Sequence, residues 1–232
     1  MIPALARYAK YLAVVLPSQD CLLCGAPSGH RLLCGACEDD LPLLSDACPV
    51  CAQTSPEGTI CGRCLAHPPH FDQTFARWIY AFPVDRLVQA LKYGHQLAVG
   101  RFLGDALLSL PPPQRPDLLL PVPLSAGHLK ARGFNQAVEI ARSVSRALDI
   151  PLAVDVCVRS LETAPQAGLP WKARQKNIRG AFECRVDLTG KHVAVIDDVM
   201  TTGATLNELA RTLKKHGAAS VTNWVCARAL KP

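Results

Sequence analysis

HVAVIDDVMTTGATLNEL, from His192 to Leu209, carries the reading of this chain. Val193, Ala194, Val195 and Ile196 form an apolar run suited to a buried parallel strand. Asp197 and Asp198 follow, where that strand is expected to end. Thr201-Thr202-Gly203-Ala204-Thr205 is a hydroxyl-rich turn, and beyond it Leu206, Leu209, Ala210 and Leu213 recur at helical spacing. Two acids and a hydroxyl-lined loop thus sit between a strand and a helix N-terminus. In open α/β sheets, ligands bind at the carboxyl ends of strands. A helix N-terminus offers unpaired N–H groups to an anion. Gly203 lets backbone approach a phosphate, and the threonine hydroxyls add donors. The acids cannot hold phosphate, but they accept hydrogen bonds from sugar hydroxyls or help hold Mg²⁺. A ribose 5-phosphate group fits these demands. A P-loop is excluded, because no Gly-Lys-Ser/Thr follows the strand.

The order of residues resembles the phosphoribosyl-diphosphate (PRPP) motif of type I phosphoribosyltransferases. The resemblance implies that Asp197 and Asp198 bind the ribose 2- and 3-hydroxyls. It also implies that Thr201, Thr202, Gly203, Ala204 and Thr205 surround the 5-phosphate, with Mg²⁺ accompanying PRPP. Ala204 departs from the motif, where many members have a second glycine or a serine.

Four Cys-x-x-Cys pairs lie in the first third: Cys21/Cys24, Cys34/Cys37, Cys48/Cys51 and Cys61/Cys64. Each forms a knuckle offering two thiolates, and two knuckles complete a tetrahedral four-thiolate zinc site. Two structural Zn²⁺ ions are expected, with no ligand position left for water or substrate. Consecutive pairing is the expectation, although interleaved pairing satisfies the same spacing. Cys157, Cys184 and Cys226 stand alone and read as small core residues.

The 232 residues, 49% of them hydrophobic, are enough for a real core. The first seventeen residues have a short apolar stretch that Arg7 and Lys10 interrupt. It is too short to span a bilayer or serve as a signal peptide. An amphipathic helix over 1–19, no membrane insertion and a cytoplasmic location are expected. Residues 1–70 hold four Lys/Arg against six Asp/Glu, while residues 71–232 hold 21 against 13. The later part is the basic one, as suits a polyanion handler. Ala66-His67-Pro68-Pro69-His70 reads as a linker. It would separate a double zinc ribbon over 20–66 from an α/β domain over 71–232.

Strands are expected at 75–82, 117–124, 152–159 and 221–227, and helices at 83–95, 97–110 and from Gly133-Phe134-Asn135-Gln136 to Leu148. Pro121 and Pro123 suit only a sheet edge or end. Ser125 to Arg132 reads as a polar, basic loop, and 160–181 as a long irregular stretch. The alternation predicts a type I phosphoribosyltransferase-like parallel sheet flanked by helices, with a small N-terminal zinc-ribbon domain. Lys92 and His95 read as a surface pair.

LKYGHQLAVGRFLG, VPLSAGHLKARGFNQA, RSLETAPQAGLPWKARQKNIRGAF and VAVIDDVMTTGATL together resemble the ComF family over nearly the whole chain. RGFNQ is the most telling segment. The resemblance implies a role in natural competence and the use of external DNA. Its implied partners are PRPP, single-stranded DNA and other DNA-uptake proteins such as a competence helicase. The loop after the 117–124 strand falls where the pyrophosphate loop lies, so Lys130 and Arg132 are candidates to stabilise the leaving group. Lys172, Arg174, Lys176 and Arg179 fall where a flap would close, and with Trp171 they form a candidate single-strand site. No hood for recognising an acceptor base is evident. An enzyme with an unidentified acceptor and a non-catalytic PRPP-sensing, DNA-binding protein both remain open. An ordinary nucleobase salvage enzyme fits less well.

Overall fold

A computed structural model describes residues 19–110, 114–160 and 178–230. The chain divides into two compact units between Leu41 and Pro42. In the first, β1 (Gln19–Asp20) pairs antiparallel with β2 (Pro27–Gly29), and the short helix α1 (Gly35–Asp39) follows. The expected N-terminal helix falls on residues 1–18, outside the described residues, and Gln19 belongs to β1.

The second unit starts with the third and fourth knuckles, closed by helix α2 (Gly62–Ala66). Strand β3 (Gln73–Ile79) leads into α3 (Val84–Gly94) and α4 (Leu97–Leu107). Then come β4 (Leu118–Pro121), α5 (Ala126–Arg132) and α6 (Gln136–Leu148). A small antiparallel pair, β5 (Cys157–Arg159) with β6 (Phe182–Cys184), precedes β7 (His192–Met200), α7 (Ala204–Lys215) and β8 (Ser220–Arg228). The main sheet is parallel throughout, in the order β3-β8-β7-β4.

Val193 to Ile196 are fully buried, as a central strand covered on both faces requires. Pro121 ends β4, an outer strand of that sheet, where its missing N–H costs nothing. Helices α4 and α6 approach closely because Gly104 faces α6. A Cβ there would lie 2.4 Å from the Ile140 carbonyl oxygen.

Four readings are refined by the structure. First, the two compact units part after Leu41, inside the expected ribbon, rather than at its end. Residues 42–66 belong with the sheet, because their backbone hydrogen-bonds β3: Leu44 N–H donates to Arg77 O, Ile79 N–H to Pro42 O and Thr74 N–H to Pro49 O. Cys48, Cys51 and Cys64 lie in the same hydrophobic cluster as Phe71, Val122 and Leu209. Second, β7 does not end at Asp197; pairing with β8 carries it to Met200. Third, Ser125 to Arg132 is no loop. The Ser125 hydroxyl accepts from His128 N–H and starts α5, which Gly133 ends with φ +80. Fourth, the strand expected over 152–159 is only β5, with Leu152 making a single bridge to Leu119.

Candidate functional site

The alternation of a strand sends Asp197 and Asp198 to opposite faces of the sheet. Asp198 is 2% exposed. Its Oδ2 forms an ion pair with Lys92 Nζ, and its Oδ1 accepts from Gln136 Nε2 at 3.2 Å. Asp197 is half-buried, and its Oδ1 accepts the Asp198 backbone N–H at 2.9 Å.

The expected surface residue Lys92 is therefore mostly buried, with 21% of its side chain exposed. The last turn of α3 carries it to the sheet, and His95 ends that helix at φ 52. His95 meets Phe134 with ring centroids 5.8 Å apart.

The segment RGFNQ builds the wall around Asp198. The Asn135 side chain accepts from Ala137 N–H at 2.9 Å, which starts α6, and donates to Val122 O at 3.0 Å. That tie fixes the end of β4 to the start of α6, so Gln136 reaches Asp198. Arg132 donates to Gln136 Oε1 and lies over the Tyr93 ring, 5.7 Å from its centroid. Arg132, Gln136, Asp198 and Lys92 thus form one chain of polar contacts. Lys130 is exposed on α5 and lies outside it.

Electrostatics separates the two acids further. Burial disfavours the Asp198 carboxylate, but the Lys92 charge and hydrogen bonds outweigh it and hold the carboxyl below its usual range. Burial, reinforced by the Asp198 charge, raises the Asp197 carboxyl well above that range. The folded state then keeps a proton on Asp197 at pH values where the unfolded chain has lost it. Asp197 therefore makes the ligand-free protein less stable as pH rises from the ordinary carboxylate range toward the raised value. Asp198 acts in the opposite sense: its contribution is present above the unfolded pKa and is lost as pH falls through the folded one.

Beyond Met200 the chain turns through Thr201 and Thr202 into α7. Gly203 is the N-cap of that helix at φ 79, with no side chain to cap it. The first-turn N–H groups of α7 thus lack a side-chain cap acceptor from Gly203. A Cβ at 203 would also strike Met200 Cε at 2.5 Å. Thr202 Oγ1 accepts from Ala204 N–H at 3.3 Å. Thr201 is exposed, Thr205 is half-buried and Ala204 is buried. A cavity of about 190 Å³ is lined by Thr202, Gly203 and Asn207 together with Arg63 and His67.

The cysteines gather as Cys21, Cys24, Cys34 and Cys37, and as Cys48, Cys51, Cys61 and Cys64, all sulfurs of a group lying within 4.8 Å. Pairing is therefore consecutive. Metal–sulfur bonds of about 2.3 Å in a regular tetrahedron put sulfurs roughly 3.8 Å apart. Cys24 and Cys34 are 3.7 Å apart, as are Cys51 and Cys61. Each group can hold one metal ion. Cys157, Cys184 and Cys226 are buried, as expected of core residues.

Lys172, Arg174, Lys176 and Trp171 lie outside the described residues. Arg179 is exposed and, with His70 and Arg211, lines a cavity of about 260 Å³ beside Asn207 and Ala204. No helix among the described residues is long and apolar enough to cross a membrane.

Two residues escaped the sequence reading. Lys92 looked like surface because only tertiary structure supplies its acid. Arg228, fully buried at the end of β8, follows the apolar run Trp224 to Ala227 with nothing nearby in sequence to suggest a partner.

A parallel α/β sheet with a strand–acid–hydroxyl-loop–helix site, joined to paired four-cysteine clusters, defines a phosphoribosyltransferase-like protein with zinc-ribbon-like modules. The double zinc ribbon domain family matches residues 11–65, and the phosphoribosyl transferase domain family matches residues 135–230. The chain is 31% identical over 220 residues to the DNA utilization protein YhgH of Shigella flexneri, covering 90% of this chain and 97% of that one. It is 33% identical over 211 residues to competence protein F of Haemophilus influenzae, covering 85% and 90%. To competence protein ComFC of Bacillus subtilis it is 27% identical over 212 residues, covering 84% of each. The chain belongs to the ComF family.

Proposed function

We propose that the protein binds PRPP with Mg²⁺ and transfers its phosphoribosyl group to an acceptor, in the use of incoming DNA in the cytoplasm. The observation that carries this reading is the N-terminus of α7, entered through Gly203, which has no side chain to cap it, shortly after the strand that holds Asp197. The loop from Thr201 to Thr205 holds the 5-phosphate. Asp197 has the open carboxylate for ribose hydroxyls and Mg²⁺. Asp198, tied down by Lys92 and Gln136, shapes the floor. Arg132 and Lys130 face a departing pyrophosphate. Zn²⁺ occupies each four-cysteine cluster as a structural ion.

Calorimetry tests the ligand. Wild-type protein is expected to bind PRPP with Mg²⁺, and Asp197→Asn to weaken it about ten- to hundred-fold, the worth of a charge-assisted hydrogen bond. Mg²⁺ requires the ionised carboxylate, so wild-type affinity should rise with pH as the raised Asp197 titrates. The asparagine variant should show no such rise. Equal affinity in both proteins would put the ligand elsewhere. Pyrophosphate release from PRPP only in the presence of an acceptor distinguishes transfer from sensing.

A second reading is favoured by relatives named for DNA utilization and competence: binding of single-stranded DNA by the basic later part of the chain. Lys172, Arg174, Lys176 and Arg179 carry it, with other DNA-uptake proteins as partners. Affinity for a labelled oligonucleotide should fall by about 0.7 log units per phosphate contact per log unit of salt. Changing Lys172, Arg174 and Lys176 to Ala should flatten that slope. Fluorescence anisotropy at low salt showing no binding by the wild type would remove this reading and leave PRPP as the reason for the charge.

A further inference from the structure

Arg228 closes β8 with 0% exposure. No carboxylate is among its hydrogen-bond partners in the described residues. Its Nε donates to the Cys51 carbonyl at 2.8 Å. One terminal nitrogen, Nη1, donates to Met200 O at 2.7 Å, to Ala229 O at 2.8 Å and to Thr201 O. The other, Nη2, has no hydrogen-bond partner among the described residues. Gln53 runs beside this tie, donating from Nε2 to Ala229 O at 2.9 Å.

The partners belong to two different places. Cys51 is a knuckle residue of the second four-cysteine cluster. Met200 and Thr201 are the last residue of β7 and the first of the hydroxyl loop. Met200 Cε lies over Gly203, within 2.5 Å of where an added Cβ would stand, so the end of β7 packs directly on the loop. A rigid planar fork thus joins the metal knuckle to the hinge of the loop. A buried cation with only carbonyl partners is costly without opposite charge nearby. Four thiolates around a divalent ion supply it, with a net charge of roughly −2.

We infer that Arg228 is a positioning residue that couples metal occupancy of the second cluster to the shape of the Thr201–Thr205 loop. The inference rests on the PRPP reading only for the loop's ligand. Loss of metal loosens the Cys51 knuckle and removes the charge that Arg228 faces, so the fork releases Met200 and Thr201. The coupling is reciprocal, so disturbing Arg228 also speeds loss of the metal.

The test uses the full, metal-loaded chain with no ligand added. Amide exchange is followed by mass spectrometry in peptides covering 201–206, and metal release by a chromophoric chelator. Arg228→Met should raise both rates about ten-fold. Arg228→Lys keeps the charge without the fork and should lie between it and wild type. Leu103→Ala, a buried change on α4, serves as a control for general destabilisation. Its loop exchange should stay within about two-fold of wild type. Chelating the metal from wild type should speed the same loop amides. Wild-type exchange and metal release in Arg228→Met would overturn the inference, and Arg228→Lys decides it where the methionine variant does not fold. Calorimetry with PRPP is run alongside. Failure of wild type to bind PRPP, with both rates changed as described, sinks the ligand reading and leaves the coupling. PRPP binding by wild type, with both rates unchanged in the Arg228 variants, does the reverse.

Discussion

Lys92→Met is expected to destabilise the protein by about 3–5 kcal/mol, because it strands an ionised carboxylate in the interior. The Asp198 side chain is 3% exposed, and once Lys92 is gone the Gln136 amide is left donating to it. The methionine stem replaces most of the lysine's packing, so the loss reports charge. The pH dependence gives a second signature. In the wild type, Asp198 is held below its usual range, so its contribution is lost as pH falls. In the variant, burial outweighs the remaining Gln136 hydrogen bond and raises the same carboxyl, so protonation relieves it. The deficit relative to wild type should be smaller at an acidic pH than at a neutral one. Adding Asp198→Asn should recover most of the loss, since a neutral amide needs no counter-charge. Urea unfolding of the two variants at both pH values checks this. A deficit that does not change with pH would mean that Lys92 contributes only packing.

The two metal clusters are expected to respond very differently to loss of one cysteine. Cys51→Ser should abolish the cooperative thermal transition of the second unit. Cys34→Ser should leave that transition in place and loosen only residues 19–41. Either variant should carry one metal per chain instead of two. The asymmetry comes from burial. Cys48, Cys51 and Cys64 are 1%, 0% and 5% exposed and belong to the main hydrophobic cluster, whereas Cys24 is exposed and Cys34 and Cys37 are partly so. A structural zinc ion contributes about 10–16 kcal/mol of apparent binding energy. That is comparable to the whole stability of a domain, about 5–15 kcal/mol. Metal analysis and circular dichroism melts of both variants decide the matter. Equal melting behaviour would place the two clusters on the same footing.

Much of this was legible in the sequence for physical reasons. Four Cys-x-x-Cys pairs have few uses, but their near-equal spacing allows interleaved as well as consecutive grouping, and only the positions of the sulfurs decide between them. Val193 to Ile196 announced a central strand, and Thr201 to Thr205 a loop into a helix, because each is a local pattern. The misread features depend on partners distant in sequence. Whether β7 ends at Asp197 or Met200 is decided by β8, which pairs with it as far as Arg228. Whether Lys92 lies on the surface or pairs with an acid depends on Asp198, over a hundred residues later. Ser125 to Arg132 reads as polar loop or as short helix with equal ease, since the Ser125 cap becomes visible only once His128 is placed against it. The boundary at 66–70 looked natural from composition. It agrees with the end of the double zinc ribbon match at residue 65, while the compact units part after Leu41 because of backbone hydrogen bonds that composition does not encode.

Those hydrogen bonds have a bearing on how the chain survives before it is complete. β3 is an outer strand, and its free side is occupied by the ribbon's backbone at Pro42, Leu44 and Pro49. On the opposite border, Pro151 and Ala153 do the same for Leu119 of β4. An uncovered border is a template on which other chains can stack. A newly made molecule still waiting for metal would present β3 unshielded. Metal supply during synthesis would then govern how much protein stays dispersed and how much clumps, before any ligand is met.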